Sequence, residues 1–341
     1  MPPKRSMRQR AVPGQGACRT AAKSWDCSSH IVCDILYELF TMVQALAPGS
    51  IGMFPVILTV IIILTCFFLC VMYYDCNRFV TVEYEIESPK ITKECDFVLL
   101  ADLHNKSFGE QNRRLVRKIE ELAPDGILVA GDVLTAFERK RKHQVAINLM
   151  QQLGEKFPVY YGMGNHEQRI GLEPGEGREL YDIYMESLHQ AGIEPLINER
   201  VSLPAANLNI CGLQIDRRYY RKFSRPGMPE NYLAETLGKA SDGQFQILIA
   251  HNPEYFREYA AWGADLTVSG HMHGGLMRLP FLGGVISPRL TLFPHYDGGK
   301  FESEGSVMIL SRGLGTHTLP VRIFNPGELV VIHLRPARNR Q

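Results

Sequence analysis

Phe97-Val-Leu-Leu-Ala101 is an unbroken apolar run, and Asp102-Leu103-His104 follows it at once. A short, wholly apolar run bounded by polar residues reads as a strand buried on both faces, because a half-buried strand alternates. Metal-ligating residue types then stand at the strand's carboxyl end. The arrangement recurs along the chain. Residues 126–130 (Gly-Ile-Leu-Val-Ala) end in Gly131-Asp132, and residues 158–161 run into Gly164-Asn165-His166-Glu167. Residues 245–250 end in His251, and residues 265–269 end in Gly270-His271-Met272-His273. Helical periodicity falls between these runs at 110–122, 143–153, 178–190 and 253–261, with Leu115, Ile119 and Leu122 on one stripe of the first. Residues 80–87 alternate as a half-buried strand, and 306–310 and 328–334 read as closing strands. Strand and helix in alternation predict an α/β layered fold with covered sheets. Ligands of such sheets bind beyond the carboxyl ends of the strands.

Five strand ends therefore bring eight side chains toward one place: Asp102, His104, Asp132, Asn165, His166, His251, His271 and His273. Taken singly each motif is weak; Gly-Asp is a common turn, and an isolated His251 reads as a core histidine. Jointly they are specific, because five of the eleven histidines fall in this ordered set directly after apolar runs. Carboxylates with imidazoles suit Mn, Fe or Zn. Two such ions lie about 3.5–4 Å apart and need a bridging anion, which Asp132 can supply. Gly131, Gly164 and Gly270 let the chain turn sharply beside the ligands.

These five blocks, in this order, resemble the calcineurin-like metallophosphoesterase superfamily, from about residue 97 to the C-terminus. Ser269-Gly-His-Met-His-Gly-Gly275, Arg312-Gly-Leu-Gly315 and Leu319-Pro-Val-Arg322 resemble its bacterial branch of membrane-associated phosphodiesterases. The resemblance implies a four-layer α/β/β/α sandwich and two divalent metal ions. Carried over, Asp102, His104 and His273 hold one ion, Asn165, His251 and His271 the other, and Asp132 bridges them. His166 binds no metal and stabilises the transition state or protonates the leaving oxygen. The implied activity is hydrolysis of phosphodiester or pyrophosphate bonds by a metal-bridging hydroxide. Thr135 and Glu167 depart from the family's more usual residues and touch the surroundings of the ligands rather than the ligands themselves.

No charged residue occurs between Glu38 and Asp75, and residues 54–74 are nearly continuously apolar. At 1.5 Å per residue this run spans roughly 30 Å, the thickness of a bilayer's hydrocarbon core. The expected organisation is a largely disordered tail at 1–50, with a short amphipathic helix at 31–47, a transmembrane helix at 51–76, and a catalytic domain at 77–341. Lys4, Arg5, Arg8, Arg10, Arg19 and Lys23 precede the span, against Arg78, Lys90 and Lys93 in the stretch after it. The positive-inside rule puts the N-terminus in the cytoplasm and the catalytic domain outside a single-pass cell-membrane anchor.

The net charge is +1 from 37 basic and 36 acidic residues, which gives no electrostatic case for nucleic acid. No protein partner is indicated. Of the eight cysteines only Cys211 lies beyond residue 96, so the globular part relies on its core and on metal. Arg312 and His317 are candidate substrate contacts, and Arg278 reads as a solvated surface arginine. The mixed basic and aromatic segment 217–222 reads as a solvated loop, within a stretch, 212–242, where a substrate-specific cap would be inserted. A tethered enzyme gains effective concentration on lipid-linked or cell-envelope phosphates, which are the natural candidate substrates. The alternatives are a broad phosphomonoesterase or protein phosphatase, and a metal-binding scaffold without turnover.

Overall fold

The computed structural model describes Thr41 and residues 53–136, 143–221, 226–287, 291–316 and 319–337. The expected tail and amphipathic helix, and His317, lie outside the described residues apart from Thr41. The chain divides into two compact units, Met1–Phe67 and Phe68–Gln341. The helix Met53–Cys76 is the one described helix long and apolar enough to cross a membrane. Its apolar side chains are largely exposed, as a lipid-facing surface requires and a core helix forbids.

The second unit is built on two sheets. The first comprises β1 (Phe79–Ser88), β2 (Cys95–Leu100), β3 (Gly126–Ala130), β4 (Val159–Gly162) and the closing strand Gly327–Pro336. The second comprises β5 (Glu199–Leu203), β6 (Leu208–Leu213), β7 (Phe245–Ala250), β8 (Leu266–Ser269) and two later strands. A two-stranded ribbon of β9 (Arg278–Leu279) and β10 (Gly283–Gly284) stands apart, followed by β11 (Gly299–Ser303) and β12 (Ser306–Leu310). With the closing strand as β13, the orders are β1-β13-β2-β3-β4 and β11-β12-β8-β7-β6-β5. The strands that precede metal-type residues, β2, β3 and β4 in one sheet and β7 and β8 in the other, run parallel within their sheets. Their carboxyl ends therefore fall on one side of each sheet.

The apolar runs are buried on both faces for a simple reason. Leu99, Leu128, Ile247, Val268, Ile309 and Ile332 pack sheet against sheet. On the opposite face, Val98, Leu100, Ile127 and Val129 meet Leu115, Ile119, Met150 and Leu188 of the covering helices Arg113–Leu122, His143–Gly154 and Glu176–Gln190. Leu213, Leu248 and Ala250 meet Leu233, Leu237, Tyr255 and Tyr259 beneath the helices Tyr232–Leu237 and Phe256–Trp262. Each large core side chain contributes about 1.5–3 kcal/mol on burial. The result is the four-layer α/β/β/α sandwich.

Two local readings change. The helix expected from 110 begins at Arg113, because Gln111 and Asn112 adopt left-handed backbone and break the first turn. Within 212–242, Tyr219, Met228, Leu233 and Leu237 are buried and pack with Leu213, Leu248 and Tyr259, so this stretch is anchored on the second sheet rather than being a solvated loop throughout.

Candidate metal centre

The loops after β2 and β3 are laced together by backbone. Asp102 N–H donates to Gly131 O (3.0 Å), His104 N–H to Asp132 O (3.0 Å) and Asn105 N–H to Val133 O (3.0 Å). The loops after β3 and β4 approach still more closely. A Cβ on Gly164 would stand 2.2 Å from Asp132 Oδ1, and one on Gly131 would stand 2.4 Å from the Gly164 nitrogen. Only glycine allows that approach. Glu167 holds it: its buried carboxylate accepts from the N–H groups of Asp132 (2.9 Å), Leu134 (3.0 Å) and Gly164 (3.1 Å) and from the Tyr161 hydroxyl (3.2 Å). That carboxylate pins the Asp132 loop to the start of the helix Asn165–Leu172.

From these loops the side chains converge. Ligand atoms of Asp102, His104 and His273 lie within 4.8 Å of one another, as do those of Asp132, His251 and His271 and those of His104, Asp132 and His166. The His104 and His273 Nε2 atoms are 3.2 Å apart with their rings stacked. Asp132 Oδ2 stands 3.0 Å from His251 Nε2 and 3.9 Å from His104 Nε2, between the first two groups. Its other oxygen accepts the His166 N–H (2.8 Å). Both Asp102 carboxylate oxygens accept the His271 N–H (3.0 and 2.9 Å).

Electrostatics show why these residues belong together. Asp102 and Asp132 are both buried. Burial raises Asp102 to about 7, against the pull of His251. Burial acts the same way on Asp132, but the imidazoles of His251 and His166 outweigh it and hold the carboxylate well below its usual range. Burial opposes charge on His251, yet Asp132 and Asp102 lift it to about 9. Burial lowers His166.

The donors fit divalent cations. Two buried carboxylates need positive charge beside them. Asn165 Oδ1 is buried and accepts no hydrogen bond, although buried polar atoms are normally paired. The ring of His251 is oriented by Nδ1, which donates to Ala130 O (2.6 Å), so Nε2 is the atom turned to Asp132. The orientation of His166 is opposite in sense. Its Nδ1 accepts the Ala136 N–H (2.9 Å), which leaves the ring proton on Nε2, 4.0 Å from Asp132 Oδ2.

The other expected residues are placed as follows. Arg312 turns Nε onto buried Glu328 (2.8 Å), with its own backbone N–H on the same oxygen. Arg278, expected in solvent, is part-buried instead: it contacts the Asp297 carboxylate (3.1 Å) and donates to Asp297 O (2.9 Å). A carboxylate nineteen residues away in sequence was not legible as its partner.

Three residues outside the expected ligand set shape the centre. Tyr220 presents its ring to His271, with centroids 5.2 Å apart, from the one-turn helix Arg217–Tyr220. Asn325 donates to His273 O and Gly275 O (both 2.8 Å). Buried Arg322 donates to the carbonyls of Arg312, Gly313, Gly315, Asn325 and Pro326, clasping the loops beneath Asp102. The only sequence signal for Arg322 was its place in Leu319-Pro-Val-Arg322.

A family model described as calcineurin-like phosphoesterase matches residues 96–275. The chain is 26% identical to the uncharacterized metallophosphoesterase YkuE of Bacillus subtilis, over 77% of this chain and 88% of that one. It is 29% identical to a transmembrane protein with metallophosphoesterase domain of Danio rerio, over 76% of this chain and 58% of that protein's length. It is 23% identical to the UDP-2,3-diacylglucosamine pyrophosphatase LpxG of Chlamydia muridarum, over 69% of this chain and 82% of that one.

Proposed function

The chain belongs to the calcineurin-like phosphoesterase family and is a metal-dependent phosphoric ester hydrolase, and on that premise we propose that it hydrolyses phosphodiester or pyrophosphate bonds of lipid-linked substrates at a membrane. The observation that carries the proposal is the position of Asp132 between two ligand groups, Asp102–His104–His273 and Asp132–His251–His271. In this reading Asp102, His104 and His273 would hold one divalent ion, Asn165, His251 and His271 would hold a second, and Asp132 would be shared between them; Mn, Fe and Zn all suit the donors. Bound ions supply charge neutralisation at phosphorus and activation of water.

The chain's own residues supply position and a hydrogen-bond donor. The backbone N–H of His166 fixes one Asp132 oxygen, which leaves the other facing the histidines. His166 serves as hydrogen-bond donor rather than ligand. With Nδ1 occupied by Ala136 N–H, its Nε2 carries a proton and no free lone pair. That N–H donates a hydrogen bond that stabilises charge on the leaving oxygen. Tyr220 shields His271, and the terminal nitrogens of Arg312, and His317, meet further anionic groups of the substrate. The helix Met53–Cys76 anchors the chain in the cell membrane, and the charge bias before it favours a catalytic domain outside. The chlamydial relative is named a UDP-2,3-diacylglucosamine pyrophosphatase, and a name that joins acyl groups to pyrophosphate cleavage supports that choice.

The test uses the full chain in detergent, stripped of metal and then given Mn²⁺, against bis-p-nitrophenyl phosphate and p-nitrophenyl phosphate. Metal-dependent diester cleavage that collapses in Asp132→Asn and His166→Ala is the expected result. Cleavage of the monoester alone would replace the proposal with a phosphatase.

A further inference from the structure

Outside the apolar helix, seven large apolar side chains are exposed among the described residues, and five of them lie in neighbouring loops: Phe281, Leu282, Leu292, Phe293 and Leu319. Phe281 is fully exposed, and Leu282, Leu292, Phe293 and Leu319 are each more than half exposed. Scattered single apolar residues need no explanation, but a concentrated patch does.

These loops are tied together and to the end of the helix. Phe281 and Leu282 form the turn between β9 and β10. Leu292 bridges Ile286, and Phe293 N–H donates to Val285 O (2.9 Å), so the second pair of tips rides on the same ribbon. Met277 bridges Ile323, and Arg278 N–H donates to Ile323 O (3.0 Å). The segment holding Ile323 meets the helix three times. Cys76 Sγ donates to Pro320 O (3.5 Å), Asn325 N–H donates to Asp75 Oδ2 (3.0 Å), and Phe324 packs edge-on against Phe68 (6.4 Å).

Depth follows from the last contact. Phe68 stands eight residues before Cys76, about 12 Å along the helix axis. Tyr73 and Tyr74, with Arg78 over the Tyr74 ring (4.6 Å) and Lys106 donating to Asn77 Oδ1 (2.9 Å), have the composition of a head-group layer at the helix end. Phe324, beside Phe68, then lies below that layer, and the ribbon bridged to Ile323 lies next to it. We propose that Phe281, Leu282, Leu292, Phe293 and Leu319 dip into the lipid bilayer as a second, shallow attachment around the metal centre. The proposal rests on the reading of Met53–Cys76 as a membrane span. The ribbon continues directly from the loop that carries His271 and His273, and Asn325 bonds both that loop and the helix end. The centre is thereby held at the bilayer surface, where a phosphoester on a lipid presents its head group.

The experiment places the full chain in vesicles of phosphatidylethanolamine and phosphatidylglycerol, part of the lipid being brominated on the acyl chains. Tryptophan is added as Phe281→Trp, as Phe293→Trp and, as an exposed control, as Leu172→Trp. Emission added at 281 and 293 is expected to be quenched by brominated lipid and protected from aqueous iodide, with the reverse at 172. Iodide quenching at 281 equal to that at 172 overturns the proposal. Protection from both quenchers overturns it too, in favour of a second copy of the chain covering the patch. This readout needs no turnover, so it stands or falls apart from the phosphodiesterase reading. As a second arm, Phe281→Ser with Phe293→Ser is expected to slow hydrolysis of hexadecyl p-nitrophenyl phosphate in vesicles about tenfold, through lost presentation at the surface, and to leave soluble bis-p-nitrophenyl phosphate unaffected. Equal loss on both substrates counts against docking.

Discussion

Asp102, His104, Asp132, His271 and His273 all hold positive φ, between 47° and 74°. A non-glycine residue in left-handed backbone costs about 1–2 kcal/mol, and such residues gather where function over-determines the backbone. Here the cross-loop hydrogen bonds and the histidine packing hold the strain, and the ligand-type side chains point inward as a result. His271 is the informative position because it is only part-buried. In His271→Gly the loss of contacts is offset by relief of strain, so the metal-free protein is expected to stay within about 1 kcal/mol of the parent in urea unfolding. The variant should nonetheless lose the stabilisation that Mn²⁺ gives the parent. A large destabilisation without metal would show that the φ of 74° is not strained. His166→Ala is expected to keep the metal content of the parent, measured by elemental analysis, while turnover falls about 10²–10³-fold, the usual cost of losing one hydrogen-bond donor to a developing anion. Loss of metal in step with activity would make His166 a ligand instead. Gly164→Ala sets a methyl 2.2 Å from Asp132 Oδ1. A shift of about 1 Å at such a site costs roughly 10²-fold, and kinetics on the purified variant checks it.

Single residues act here through loops, and the loops are held by buried polar groups rather than by apolar packing. Glu167 joins the β3 and β4 loops with four accepted hydrogen bonds. Arg322 joins the segments 312–315 and 325–326, and Gly315 N–H in turn donates to Asp102 O (2.7 Å). Burial lowers Arg322 to about 10, so it remains charged at neutral pH. Arg322→Lys keeps the charge but loses the planar fork, and the carbonyls left unpaired cost about 1–3 kcal/mol each. The expected outcome is a fall in stability of at least that size together with weakened metal affinity, read by thermal unfolding with and without Mn²⁺. Unchanged metal affinity would separate the Arg322 clasp from the centre. The elements themselves were unequally legible. The apolar runs 97–101 and 126–130 before Asp102 and Asp132 stood out because nothing polar interrupts them. β6 did not, since Asn209 breaks its apolar pattern; Asn209 is tolerated because it pairs with Gln246 on the adjacent strand (3.1 Å).

Across the whole molecule, two sheets aim their parallel strands so that loops from both reach one point, and a cation held by Asp102, Asp132 and the histidines would link those sheets. Anything that binds only the folded state stabilises it by mass action, about 2.7 kcal/mol at a hundred times Kd. For a domain of this size that corresponds to about 5–10 °C in Tm. Calorimetry of the metal-stripped chain with added Mn²⁺ is expected to show such a rise in the parent and none in Asp132→Asn. A parent that melts at one temperature with and without metal would break the link between centre and fold. The sequence by itself determined the α/β class, the apolar helix and the identities of the converging side chains. These depend on period, length and residue type, which are local properties. The tertiary structure alone decided that the centre is bordered by Tyr220, clasped by Arg322 and joined to the helix end through Asn325, and that Arg278 is paired rather than solvated. Those facts arise from partners distant in sequence, and a partner becomes visible only when packing has chosen which buried polar groups must satisfy one another.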